Sequence, residues 1–233
     1  AVGQWGGLPV YRPLLDVPRS SLEAVLGEAG IGWIEDPSNA DDRFERVRVR
    51  KAMGELGRLG YSARALATTA ARMRRASEAL DVAAHAFLAS HADMSAAGYG
   101  TIGRQALSEA PEEIALRSLA RSIEAVRGGE VAFSLMRLEA LAASLGDKGF
   151  RGATLGGCRF VAKDEAILVL REPGRKGLHA FGLEPGETRL WDRRFEVFSP
   201  PCADASVTVR ALGAQGARQL RARAGSQVSI PDA

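Results

Sequence analysis

The spacing of apolar side chains changes partway along this chain, and that change decides which folds are open to it. From 62 to 91, Leu66, Met73, Leu80, Ala84 and Phe87 fall on one stripe of a helix that Ser62 is placed to cap. Pro111 opens a second helix, with Glu112 and Glu113 in its first turn, where carboxylates complement the helix dipole. Its Ala115, Leu119 and Ile123 recur every four residues, and Gly128–Gly129 ends it. Ser134 caps another, carrying Leu135, Leu138, Leu141 and Leu145 up to Gly146. Beyond residue 149 the helical period disappears. Two β-rich runs, 151–161 and 166–172, flank a polar K-D-E turn and predict a hairpin. "TRLWDRRFEVFSP" repeats that form, "ASVTVRAL" reads as a further strand, and "GARQLRAR" as a short helix. The first third is mixed: a strand over 8–17, a helix from Pro18 or Ser20 to Gly30, an extended piece running into a Pro/Ser/Asn turn, and a helix from Asp41, capped by Asp41 or Asn39. The pattern predicts an α+β protein with a helical middle and a small β-rich end.

At 233 residues, with 46% apolar and 25% charged side chains, the chain can bury a sizeable core. No run approaches the roughly 18–20 apolar residues of a membrane span, and no basic-then-apolar leader opens it. The opening "AVGQWGGLPVYRP" reads as the middle of a larger protein and the closing "SQVSIPDA" as a strand barely begun, so both ends are expected to be cut. Cys158 and Cys202 form no framework, which suits a reducing cytosol. His85 and His91, six apart, point about 120° from each other on a helix, so they are not a metal pair and no metal site is expected. Net charge is a mild +3, carried almost wholly by Arg. Arg suits bidentate phosphate contact, and GC-rich codon usage produces the same bias.

Most motif matches fail on context. "GYGTIG" (98–103) fits G-x-G-x-x-G, but it follows a long helix where a dinucleotide fingerprint needs a strand, so a loop with a short edge strand is expected. "LGGCRF" (155–160) has adjacent glycines inside a β pattern, the mark of a bulge or a close backbone approach. No Walker, H-E-x-x-H, G-x-S-x-G or paired-carboxylate arrangement occurs, so no catalytic residue is assigned. Two arginine groups remain. Arg72, Arg74 and Arg75, with Arg117 and Arg121 on a later helix, make either a phosphate-tracking surface or a solvated face. In "WIEDPSNADDRFERVRVR" (33–50), a helix from 41 aligns Arg43, Arg46 and Arg50 on one face, turns Arg48 away, and leaves Phe44 and Val47 to dock. Three aligned guanidiniums call for an anion across them, or for Glu35, Asp36 and Glu45 as internal partners.

The stretch "RPLLDVPRSSLEAVLGEAGIGWIEDPSNADDRFERVRVR" resembles the end of the catalytic domain of the tRNA(Ile)-lysidine synthases. That family's order of R-P-L-L, an R-x-x-L helix, W-x-E-D-x-[ST]-N and R-N-R-[IV]-R falls on Arg12 to Leu15, Arg19 to Leu22, Trp33 to Asn39 and Arg46 to Arg50. Val47 departs from the pattern, standing where the family usually has Asn. The likeness continues more loosely through "LATTAARMRRASEALD", "EEIALRSLARSIEAV" and "RGATLGGCRFVAKDEAILVLREP".

The resemblance implies a layout. Residues 1–56 would be the C-terminal end of a PP-loop α/β catalytic domain, 57–148 a helical linker and tRNA-binding domain, and 149–233 a β-rich region leading into a C-terminal tRNA-binding module. It also implies a cytoplasmic ligase that adenylates C2 of the wobble cytidine of tRNA(Ile) with ATP and lets L-lysine displace AMP, so that AUA is read. The S-G-G-x-D-S motif that holds most of the ATP and its Mg in that family is absent from these residues. The chain alone is therefore expected to be inactive, to supply tRNA binding through Arg72, Arg74, Arg75, Arg117 and Arg121, and to edge the ATP site with Arg50 and Arg46. Members of the family are monomers or dimers, so a homodimer is open. A non-enzymatic RNA-binding adaptor and a purely structural module are the competing readings.

Overall fold

The computed structural model describes residues 2–5, 8–14, 17–34, 41–147, 149–174, 177–202 and 205–224. They divide into two compact units, 1–70 and 71–233. Among the described residues no helix is long and apolar enough to cross a membrane.

The first unit opens with β1 (Val2–Trp5) and β2 (Leu8–Tyr11), an antiparallel pair. β2 stops well short of residue 17. Pro13 has no N–H to give a ladder, and the chain turns instead, Val17 N donating to the Leu14 carbonyl over 3.1 Å. Helix α1 (Arg19–Glu28) starts just after Pro18 and ends before Gly30, whose φ of +67° only glycine adopts without strain.

Helix α2 (Glu45–Arg58) begins four residues later than expected. The Asp41 carboxylate accepts the Arg43 backbone N–H at 2.9 Å and Nε at 2.8 Å, closing a local turn that competes with helix start. Phe44, in an extended conformation, then takes the cap position, so Asp41 caps nothing. Asn39 lies outside the described residues. Val47 is buried in α2, whereas Phe44 is 41% exposed. Val47 is also the only buried apolar residue among the described part of this unit, and α1 buries none. Leu8, Tyr11, Val25 and Ile34 are all more than half exposed.

Helix α3 (Ala63–His91) runs across the division between the units. Ser62 caps it as expected, its Oγ accepting the Ala65 N–H at 3.1 Å. The apolar stripe of α3 is buried only toward its C-terminal half: Ala84 is fully buried and Phe87 packs on the core of the second unit, while Met73 is exposed.

The second unit is built on a five-stranded antiparallel sheet in the order β3-β4-β7-β6-β5, from β3 (Ala92–Met94), β4 (Gly100–Gly103), β5 (Ala153–Leu155), β6 (Cys158–Lys163) and β7 (Ala166–Arg171). Residues 92–103, which the periodicity places among the helices, thus share a sheet with 153–171. "GYGTIG" contributes an interior strand, paired to β3 on one side and β7 on the other, and not an edge. The run over 151–161 is two strands. Gly156 and Gly157, at φ +60° and +77°, make a two-residue hairpin turn between the paired Leu155 and Cys158, where a bulge was one expectation.

Register explains the core. Ile102, Ile167 and Ala162 lie opposite one another, as do Gly100, Val169 and Phe160, so alternation puts Ile102, Ile167, Val169 and Phe160 on one face. Short α4 (Arg104–Glu109) follows β4, and α5 (Glu112–Arg127) and α6 (Leu135–Leu145) pack against the sheet with Leu119, Ile123, Val126, Leu138, Leu141 and Leu145 in a single cluster. Gly128 ends α5 in the left-handed conformation. Leu135 stays exposed. The remainder adds β8 (Phe181–Leu183) paired to β11 (Val207–Val209), the hairpin of β9 (Thr188–Trp191) and β10 (Phe195–Phe198), and α7 (Gly213–Ala224).

Candidate nucleotide and nucleic-acid interface

The late start of α2 rearranges the arginines of 43–50. Arg43 belongs to the preceding turn, its guanidinium 2.6 Å from the Asp41 carboxylate, so it leaves the helical face assigned to it. The Arg43 side chain, and then its backbone N–H, hold Asp41 below the usual carboxylate range, and Asp41 in return raises Arg43. Arg48 Nη1 donates to the carbonyls of Asp42 and Arg43 at 2.8 and 3.0 Å, tying the turn to the helix. Lys51 pairs with the Asp42 carboxylate at 2.6 Å. Internal partners therefore exist, but they are Asp41 and Asp42; Glu35 and Asp36 lie outside the described residues. Arg46 is in α2, with its side chain also outside them. Arg50 is exposed and makes no hydrogen bond or ion pair among the described residues. A guanidinium left so is available to a planar, multiply charged anion.

The second group splits in two. Arg72, Arg74 and Arg75 are exposed on α3; Arg74 reaches Glu78 only at 4.0 Å, and Arg72 and Arg75 have no partner among the described residues. Arg117 and Arg121, on α5, point back to α3. Arg117 donates to Asp81 Oδ1 at 2.9 Å, to Glu113 Oε1 at 2.7 Å and to Ser77 Oγ at 3.1 Å, and Arg121 donates to the same Asp81 oxygen at 2.9 Å. Arg121 first, then Arg117, hold the Asp81 carboxyl below its ordinary range. These two side chains are 25% and 32% exposed, against 74% for Arg74, so most of their surface is spent bracing α3 on α5. Asp81, which the sequence reading missed, is the residue that separates the two groups. Its only signal was its place on α3 one turn from Ser77.

His85 Nδ1 lies 2.8 Å from the Asp81 carbonyl, and the His91 ring sits tilted against that of Phe87, centroids 4.9 Å apart. No group of three or more potential metal ligands occurs among the described residues. Cys158, fully buried, directs Sγ at the Ile123 carbonyl, and burial pushes its thiol up to about 11.

Residues 1–56 match the family model of a PP-loop domain. Three curated relatives, each a tRNA(Ile)-lysidine synthase, align with much more of the chain. That of Ruegeria pomeroyi is 34% identical over 212 residues, covering 90% of this chain and 48% of the relative. That of Methylobacterium nodulans is 37% identical over 178 residues, covering 73% and 52%. That of Bradyrhizobium diazoefficiens is 40% identical over 146 residues, covering 60% and 40%. The chain spans about half the length of the curated relatives it matches. The aligned stretch of the first relative takes in nine-tenths of this chain, and with the PP-loop match at its start the chain is homologous, over most of its length, to the tRNA(Ile)-lysidine synthases.

Proposed function

We propose that this chain is the tRNA-holding part of an ATP-dependent ligase that joins L-lysine to C2 of the wobble cytidine of tRNA(Ile). Its residues 1–56 form one edge of the PP-loop catalytic domain. The observation that carries the reading is the homology, which extends well past the PP-loop match into the helical and β-rich residues. The exposure of Leu8, Tyr11, Val25 and Ile34 supports it, since an edge of a larger domain has apolar side chains to place against the rest of that domain.

In this reading ATP is bound mainly by residues carrying S-G-G-x-D-S, Mg accompanies it, and Arg50 meets its phosphates. Adenylyl transfer builds negative charge on those phosphates, and a fixed guanidinium lowers its cost. Arg46, one turn before Arg50, belongs to the same edge. The tRNA backbone lies along Arg72, Arg74 and Arg75, while Arg117 and Arg121 act by holding α3 in place. The chain alone is inactive, and the reaction is cytoplasmic.

Arg50→Ala, made in a protein that also carries the S-G-G-x-D-S part, tests the assignment. Single-turnover AMP transfer is expected to slow about 100-fold, the scale of losing one charge-stabilising donor, with tRNA affinity within about twofold by filter binding. Equal losses in both would remove Arg50 from the ATP site.

A further inference from the structure

Four turns far apart in sequence meet at one end of the five-stranded sheet: the β3–β4 turn at Gly98, the end of α5 at Gly128, the β5–β6 turn at Gly156–Gly157, and the β9–β10 turn at Asp192–Arg194. The last fits among the others. A Cβ on Gly128 would come within 2.6 Å of Arg194 Cγ and 2.9 Å of the Arg193 carbonyl, and one on Gly98 would strike the Phe195 ring. These glycines clear the space that the turn occupies.

Charge then fastens it. The Asp192 carboxylate takes both Nε and Nη2 of Arg171 at 3.2 Å, and Nε and Nη2 of Arg194 at 3.1 and 2.6 Å. Arg171 also donates to the Gly157 carbonyl at 3.2 Å, Arg194 to the Gly98 carbonyl at 2.6 Å, and Arg127 to the Gly156 carbonyl at 2.9 Å. Arg194 lies over the Phe195 ring, 4.8 Å from its centroid. Asp192 and Arg194 are only 8% and 10% exposed, so this carboxylate is far more shielded from water and salt than the surface pairs elsewhere in the chain. Among the described residues β9 and β10 share a ladder only with each other. Their side-chain contacts beyond the hairpin and its turn, Trp191 Nε1 to the His179 carbonyl at 2.8 Å and Arg189 over the Phe181 ring, fall outside the five-stranded sheet. A free two-stranded hairpin is marginal in water, so its direction relative to the sheet depends on what the turn grips.

We propose that Asp192 is a positioning residue, a charge lock that fixes the β9–β10 hairpin on the sheet and so sets the surface that the β-rich end presents to RNA. The RNA half rests on the tRNA-holding function proposed above and extends it, since that function puts its phosphate contacts on α3 and not on this hairpin.

Asp192→Asn tests it in the full chain, because Asn keeps the size and tolerates the left-handed backbone (φ +48°) while removing the charge. Hydrogen–deuterium exchange should quicken at least tenfold over 188–198 and stay unchanged over 112–127 and 158–171. Arg171→Lys, which keeps a charge but loses the fork, should fall between the variant and the natural chain. Affinity for a tRNA transcript, by filter binding, should drop at least fivefold in Asp192→Asn. Unchanged exchange over 188–198 overturns the lock. Faster exchange over 112–127 as well overturns it in favour of a general stability role. A freed hairpin with unchanged RNA affinity overturns the positioning role alone. Should the natural chain not bind tRNA at all, the functional reading fails while the exchange comparison still decides the lock.

Discussion

Arg43 and Arg50 belong to one arginine-rich stretch and end in different surroundings. A carboxylate two residues away captures Arg43, whereas α2 carries Arg50 out to solvent. Helical spacing alone put the two on one face; the missing information was the Asp41 turn, because an Asp side chain that bonds its own neighbour's N–H looks the same in sequence as one that caps a helix. The two cysteines differ in the same way. Cys158 is buried with its thiol pushed up to about 11, and Cys202 is exposed. At neutral pH a thiol reagent should modify one cysteine, Cys202, in the folded chain and both in denaturant; rapid labelling of two thiols in the folded chain would contradict the burial of Cys158. The linkage sign follows from the raised value. The folded chain keeps the Cys158 proton after the unfolded chain has lost it, so this contribution is intact below the ordinary thiol range, near 9, and fades as pH climbs toward about 11. Thermal melts of the natural chain and Cys158→Ala should differ less at pH 10.5 than at pH 7.

At the scale of elements, helix existence and caps were the most readable features. Ser62, Gly30 and Gly128 do what their residue types favour at helix ends, whereas Asp41 caps nothing and Ser134 stands at the cap of α6 without a side-chain cap bond. Ser62→Ala should cost α3 about 1 kcal/mol, read as faster amide exchange in its first turn and nowhere in α5. The sheet was less readable. β3 and β4 are three and four residues long, β4 pairs with a strand more than sixty residues later, and so short a strand leaves no alternation to see. Gly156–Gly157 was visible as a special backbone pair, but its meaning as a tight turn depended on Cys158 restarting the pairing. The core that results is concentrated: Phe160 is fully buried between sheet and helices. Phe160→Ala should destabilise residues 71–233 by about 3–5 kcal/mol, measured as a lowered urea midpoint with little change in slope; a cost under 1 kcal/mol would place the core elsewhere.

On the scale of the whole molecule, the two units differ in how much apolar surface they hide. The second carries one continuous core from α5, α6 and the sheet, while the described part of the first buries Val47 and exposes most of its other large apolar side chains. That contrast fits a chain whose PP-loop match ends at residue 56 and whose likeness to lysidine synthases does not. Sequence motifs marked the first unit, since R-P-L-L through R-x-R are contiguous signals within residues 12–50. The bracing of α3 by Asp81 and the gripping of the β9–β10 turn by Arg171 were hidden, because each joins side chains at least twenty residues apart that meet only in the folded chain.

The central claim, that the outward arginines of α3 hold the tRNA backbone, is tested most directly by salt. Affinity of the chain for a tRNA(Ile) transcript should fall about 20- to 40-fold between 50 and 200 mM monovalent salt, as expected for roughly three phosphate contacts. The triple substitution Arg72→Ala, Arg74→Ala, Arg75→Ala should weaken binding at low salt and flatten that dependence, whereas the same loss of affinity with an unchanged salt slope, or binding indifferent to salt in the natural chain, would contradict the account.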